Sequence, residues 1–398
     1  MIRAIRETVG SVFSTRHIRW MEFAWPALLL AAGLLFIGLV FIDAMSLSQS
    51  NLGGSGAAGR IDFENHKQKV LVAIPVFFAG LFLRPMWLRR FTPLIYLACI
   101  ALLVLVQLIG DERNNAKRWI QLPRFDLQPS ELAKVGTILM LAKVLQSSRL
   151  DTLGEWLKPL LVALLPMVLV AIQPDLGTAL TIVPVTLGLI YLAGGSGVVI
   201  SAMLGATALS GFLAFQSGLL QGYQMERVET WIESFDTDDL IAARNGTAFH
   251  TFYARTFTGN GGAFGRGLGE GVANETGLLP ERDCDSIIAV IAEEWGFYRT
   301  AALILAYGLM VVFLMISASG LRDRYARLVV GGVAIYFAAH LFINVSVNVG
   351  LLPMTGLTLP LLSTGGSSLL ATFLALGLAL GLGSHHERDL GSDAFRRY

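Results

Sequence analysis

Charge is scarce in this chain. Of its 398 residues, 15% are Asp, Glu, Lys or Arg, where soluble domains carry about 25%. Hydrophobic residues make up 54%, and the mean hydropathy is +0.62. An ordinary soluble domain is excluded, and the chain reads as a membrane protein. No sign of charge dominates either. The formal net charge is +1, so no basic face is on offer to nucleic acid. Cysteine is nearly absent: Cys99 lies in an apolar run and Cys284 in a polar segment, so no disulfide is expected. The six histidines show no metal-ligand spacing. His385 and His386 are adjacent and read as solvated. No cleavable signal is expected, because the basic, amphipathic opening runs into an apolar stretch long enough to span. No internal repeat is evident.

What the chain has is long apolar runs. A bilayer-crossing helix needs about 20 mostly apolar residues. On that rule the sequence predicts an all-α, polytopic membrane protein with about ten transmembrane helices. They start near Phe23, Val70, Pro93, Ser130, Trp156, Leu176, Val198, Ser286, Leu328 and Ser367. The expected organisation is an amphipathic N-terminal segment over 1–22, a transmembrane domain over 23–384 and a tail over 385–398. The fourth run, "PSELAKVGTILMLAKVL", is the least apolar and is expected to pack inside the bundle.

Lys and Arg in short loops set orientation. Arg3, Arg6, Arg16 and Arg19 fall on the same side as "RPMWLRR", "LRDRYAR" and the basic tail. Both termini are therefore expected in the cytoplasm. The unusual polar stretches then face outward: "AKRWIQLPRFDLQPSELAK", "QPDLG", a large loop over 217–284 between helices seven and eight, and "NVGLLPMTGLTLPLLSTGGSS". Chemistry, if present, is expected at that face. Within the large loop, "QGYQMERVETWIESF" has an apolar stripe of Met225, Val228 and Ile232 and reads as an interfacial amphipathic helix. "GNGGAFGRGLGEG" reads first as a flexible turn and second as an anion cradle.

Ionisable residues at membrane depth cost about 2.5–3.5 kcal/mol on insertion scales and imply a partner or a task. Glu131 and Lys134 share one helix face. Lys134 and Asp175 are expected at similar depth as an ion pair, serving either as a structural clasp or as a grip for pyrophosphate. Asp285 has two readings. It is an N-cap worth about 1 kcal/mol, or a general base whose pKa is raised toward working pH. Glu293 and Glu294 lie about 12 Å further along the same helix. They read as buried acids that support the site.

These blocks, in this order, resemble the SEDS family (shape, elongation, division and sporulation), whose members include RodA, FtsW and SpoVE. The resemblance rests on "RWIQL", "QPSELAK", "QPDLGTAL", "YQMERV", "GGAFGRGLGEG", "LPERDCDSIIAVIAEEWGF" and "NVGLLPMTGLTLPLLSTGGSS". It implies ten spans in the bacterial cytoplasmic membrane. It implies a peptidoglycan glycosyltransferase that polymerises lipid II at the outer face, joined to a class B penicillin-binding protein. It places the family's essential aspartate on Asp285. It also places substrate-binding positions on Trp119, Glu131, Lys134, Asp175, Gln224, Arg227, Arg266, Ser363 and Ser367, with Glu293 and Glu294 as support.

The implied reaction is an inverting glycosyl transfer from a glycan on undecaprenyl pyrophosphate. Lys134, Arg227 and Arg266 are expected to offer charge to the leaving pyrophosphate, and Mg²⁺ or another divalent cation is an expectation from that chemistry. The chain departs from the family pattern at three places. "CDSII" stands for Thr-Asp-Phe-Ile-Phe, Thr364 for a tyrosine, and Gly246, Thr247 and Ala248 for Gly-Tyr-Gln. A lipid II flippase and a non-catalytic scaffold are the rival readings. "GLTLPL" leans toward the division branch and "LLPMTG" toward the elongation branch.

Overall fold

The computed structural model describes residue 13 and residues 18–51, 61–113, 116–121, 126–217, 222–243, 246 and 248–384. Most of the predicted N-terminal segment and all of the predicted tail lie outside the described residues. The long helices are α1 (Trp25–Asn51), α2 (Phe63–Phe82) and α3 (Pro85–Ile109). A small sheet follows, made of β1 (Asp111–Arg113), β2 (Ala116–Gln121) and β3 (Asp126–Leu127). Then come α4 (Pro129–Leu145), α5 (Leu153–Ile172), α6 (Leu176–Leu192) and α7 (Gly197–Gln216). The large loop holds four shorter helices: α8 (Gly222–Glu233), α9 (Thr237–Ala242), α10 (Phe249–Asn260) and α11 (Val272–Thr276). The chain closes with α12 (Ile287–Ser319), α13 (Arg324–Asn348) and α14 (Gly366–Ser384).

The protein is a multi-pass membrane protein. Among the described residues, α1, α3, α5, α12, α13 and α14 are long and apolar enough to cross a bilayer, and α6 and α7 contain shorter apolar stretches. Inner and outer helices separate by burial. In α13 and α14, 72% of the apolar stretch is buried, against 22–33% in α1, α3, α5 and α12. The least apolar helix, α4, is buried on almost every face. Its polar residues meet protein rather than lipid. At the α2–α14 contact, glycine lets two backbones touch. A Cβ on Gly377 would lie 2.2 Å from the Phe77 carbonyl oxygen, and one on Gly381 would lie 2.3 Å from that of Leu81. Close small-residue contacts of this kind give membrane helices dispersion energy in place of a hydrophobic drive.

The structure departs from the sequence expectation at two places. The first outer block is not simply a loop. Its three short antiparallel strands run in the order β1-β2-β3, with Asp111 opposite Trp119 and a register shift beside Asp111. Second, α12 is not one continuous span from Ser286. Its 33 residues would measure about 50 Å at 1.5 Å per residue, longer than the roughly 30 Å hydrocarbon core. Gly296 breaks it with φ 74° and ψ −179°. Residues 287–294 are buried, whereas 297–319 alternate buried and exposed positions. The first part is a half-helix inside the protein, and the second part is the bilayer-crossing rod.

The predicted amphipathic helix exists as α8, but its buried face differs. Thr230 and Ser234 are buried, whereas Ile232 of the expected stripe is exposed. The Trp231 indole N–H donates to the Gly350 carbonyl at 3.3 Å. The helix is thereby tied to the segment that follows α13.

Candidate active site

Asp285 ends a tight turn at the foot of the half-helix. The main-chain N–H groups of Cys284 and Ser286 both donate to the Glu281 carbonyl, at 3.0 and 3.2 Å. Glu281 takes a left-handed φ of 46° to allow this, a strained choice for a residue with a Cβ. Ser286, not Asp285, occupies the cap position of α12, and no side chain caps that helix. The capping reading of Asp285 therefore fails. The Ser286 hydroxyl is instead bonded to His250 Nε2 at 2.8 Å.

Asp285 is 7% exposed, and its Oδ1 has no hydrogen-bond partner. Gly356 lies over it: a Cβ there would be 3.8 Å from Asp285 Oδ2. Burial, reinforced by the charge of Glu281 and more weakly by Asp283, raises the Asp285 pKa to about 7, while Arg227 opposes the shift. A carboxyl tuned to neutral pH can accept a proton and give it up again.

The remaining predicted residues separate into three groups. Lys134 is 3% exposed. Its Nζ sits 2.9 Å from Glu131 Oε1 and 3.2 Å from His340 Nε2, and 5.5 Å above the Tyr336 ring. Asp175 has other partners. It caps α6 through the Thr178 N–H at 3.2 Å, accepts from Gln128 Nε2 at 3.1 Å, and stands 4.0 Å from Arg118 Nη1. The expected Lys134–Asp175 ion pair is not formed. Trp119 lies half-buried on β2, next to Arg118, whose Nε donates to the Gln173 carbonyl at 2.8 Å.

The second group binds main chain. Ser367 accepts from the Gln128 N–H at 2.7 Å and donates to the Asp126 carbonyl at 2.7 Å. It joins the sheet and α4 to the start of α14. Ser363 accepts from the Leu359 N–H at 2.8 Å and donates to the Cys284 carbonyl. Arg227 Nη1 donates to the Met354 carbonyl at 3.2 Å. It is close enough to Asp285 and His250 to act on both charges. The side chain of Gln224 lies outside the described residues.

The third group clasps the glycine-rich segment. Glu294 accepts from the Gly269 N–H at 2.9 Å and from Asn274 Nδ2. Glu293 accepts from the Ala273 N–H at 2.9 Å. The main-chain N–H groups of Arg266 and Gly267 donate to the carbonyls of Glu293 and Glu294. The donors that an anion cradle needs are thus consumed, and that reading is set aside. Arg266 Nε stands 3.8 Å from Glu293 Oε1, about 12 Å along the helix from Asp285. It is grouped with the clasp, not with the carboxylate at the helix foot.

Several residues escaped the sequence reading. His340, Asn344 and Asn348 are spaced by four and form one polar face on the apolar α13. That spacing was the available signal. Asn344 and Asn348 Nδ2 each donate to the Asp285 carbonyl at 3.0 Å. Asn344 also reaches the Leu357 carbonyl at 2.8 Å, and His340 Nδ1 lies 3.1 Å from that of Thr358. Two of the departures from the family pattern meet in space. The Cys284 thiol is 3.0 Å from the Thr364 hydroxyl, which donates to Asp283 Oδ2 at 2.6 Å.

Among the described residues, one group has metal-ligand spacing: Glu281, Asp283 and Cys284. It does not fit a resident Mg²⁺. That ion asks for oxygen ligands in near-octahedral array. Burial holds the Cys284 thiol protonated by pushing its pKa well up, and Thr364 already occupies one Asp283 oxygen.

Known proteins share this architecture. The chain is 34% identical over 308 residues to "Probable peptidoglycan glycosyltransferase FtsW" of Trichlorobacter lovleyi, covering 75% of this chain and 76% of that one. It is 32% identical over 300 residues to peptidoglycan glycosyltransferase MrdB of Escherichia coli, covering 74% and 78%. It is also 32% identical over 297 residues to stage V sporulation protein E of Bacillus subtilis, covering 73% and 78%. Among solved structures, a chain from a peptidoglycan synthase complex superposes with TM-score 0.75 at 28% identity, covering 92% of this chain and 98% of that one. The rod shape determining protein RodA of Thermus thermophilus gives TM-score 0.67 at 27% identity, covering 92% and 97%. The profile of the cell cycle protein family of FtsW, RodA and SpoVE matches residues 25–388, and the chain belongs to that family.

Proposed function

We propose that this protein is a peptidoglycan glycosyltransferase that polymerises lipid II at the outer face of the bacterial cytoplasmic membrane, with a class B penicillin-binding protein as its partner. The observation that carries the reading is the buried Asp285 carboxyl, with one oxygen unpartnered and a pKa of about 7. The names of the FtsW and MrdB relatives support the activity. The synthase complex among the structural matches supports a partnered enzyme. Basic residues in the loops predicted to lie opposite Asp285 (Arg84, Arg89, Arg90, Arg149, Arg322) support cytoplasmic termini.

In this reading Asp285 takes the proton from the 4-hydroxyl of the acceptor sugar. The freed oxygen bonds to the anomeric carbon of the donor glycan as its bond to undecaprenyl pyrophosphate breaks, with inversion. Arg227 offers charge to the departing pyrophosphate. Asp285 is buried, and Gly356 leaves open beside its Oδ2 the space that a side chain would take. Lys134 is paired and buried, so it supports the site through His340 and the Thr358 main chain.

The test is purified protein with its partner, given lipid II in detergent. Wild-type protein makes polymer there, with no bilayer to flip across. Asp285→Asn keeps the shape and removes the base, and polymer is lost. Polymer of unchanged rate and length from Asp285→Asn would exclude the role.

A further inference from the structure

We propose that Asn344 and Asn348 are positioning residues that hold Asp285 in register with the Met354–Thr358 segment during glycosyl transfer. The inference rests on Asp285 being the base. The accounting of donors carries it. The ladder of α12 begins at the Ser286 carbonyl, which accepts from Ala289 and Val290 at 3.0 and 3.4 Å. The Asp285 carbonyl is left out of that ladder and buried. It receives two amide hydrogens instead, one from each asparagine, at 3.0 Å.

The second hydrogen of each amide is also spoken for. That of Asn344 goes to the Leu357 carbonyl at 2.8 Å, and that of Asn348 to the Asn344 carbonyl at 2.9 Å. Four donors meet three main-chain oxygens, and none of these bonds reaches the carboxylate. Both asparagines are buried in a mainly apolar helix, where leucine would pack without the cost of desolvating an amide. Their bonds join the base and the loop over it to one rigid helix. The charged groups that act on Asp285 (Glu281, Asp283 and Arg227) come from other elements. The amides therefore set position, not charge.

Asn348→Ala, and the double variant with Asn344→Ala, are assayed beside Asp285→Asn with purified protein and lipid II. The double variant is expected to lose about 10²-fold in kcat, the scale of a misplaced reactive group, while KM moves less than about threefold. The midpoint of its pH–rate profile should fall, because a loosened carboxyl gains water. A merely structural role would lower the folded fraction and leave the midpoint where it was. Asn348→Ser keeps one donor and reads the same midpoint where alanine fails to fold. Folded variants with parental kcat and midpoint would overturn the inference while an inactive Asp285→Asn left the base reading standing. An active Asp285→Asn would overturn both.

Discussion

Asp285 and Glu294 are two carboxyls at the two ends of one buried half-helix, and they are treated in opposite ways. Both oxygens of Glu294 are occupied, by the Gly269 N–H and the Asn274 amide. One oxygen of Asp285 faces no donor. A satisfied buried acid holds structure together, whereas an unsatisfied oxygen costs stability. Glu131 Oε2 and Glu293 Oε1 are also unpartnered, but those carboxyls stand 2.9 Å from Lys134 Nζ and 3.8 Å from Arg266 Nε. Both are buried carboxyls on one half-helix, and it is the partners together with the surrounding charge that separate fastening from reagent.

The largest effect is expected of Asp285→Asn. Polymerisation should fall by about 10²–10⁴-fold, the span of a lost general base, while thermal stability holds or rises. Linkage sharpens it further. The folded pKa of Asp285 is raised to about 7, so the folded state binds the extra proton. Its stabilising contribution is complete below the unfolded carboxyl range and is lost as pH rises through about 7. Melting curves of parent and Asp285→Asn should therefore diverge between about pH 4 and about pH 7, the variant gaining. Activity runs the other way, rising through about pH 7 as the base ionises. A flat pH profile would refute the tuning.

Glu294→Ala tests the opposite pole. It orphans two donors and should cost about 3 kcal/mol. Activity should fall in proportion to the folded fraction, with the pH midpoint unmoved. Gly296→Ala forces a Cβ to 2.2 Å from the Gly265 nitrogen at a left-handed φ. It should lower stability by about 1–3 kcal/mol, read as an earlier melting transition. Thr364→Val should be mildest. It removes the hydroxyl that joins Asp283 to Cys284 and should cost about 1 kcal/mol, measured by denaturation.

The apolar runs made the long helices legible, since a bilayer fixes length and hydropathy together. Starts at Leu176, Val198 and Ser367 fell within one residue of the helices found. Asp285 was legible as a charge at the edge of such a run. Partners were not. Sequence depth placed Lys134 and Asp175 at one height but says nothing of azimuth, and each turned to a different neighbour. The strands around Trp119 lie in a charged stretch, and "AKRWIQ" shows no apolar alternation to mark them. The break at Gly296 was hidden because a lone glycine between two apolar runs reads as tolerated within a helix, even with Glu293, Glu294 and Arg299 close by. Asn344 and Asn348 show their spacing plainly, yet polar residues deep in a helix read as incidental until their hydrogens are traced.

The discontinuity at Gly296 separates two mechanical tasks. The rod over 297–319 must lean as bilayer thickness changes, while the segment ahead of it is fastened to the glycine-rich cap. The same cap also pins the start of the rod, through the Phe297 and Tyr298 N–H groups on the Gly262 and Ala263 carbonyls at 2.8 and 3.3 Å. The corner is held on both sides, so a leaning rod passes its strain into the cap that steadies the proton acceptor.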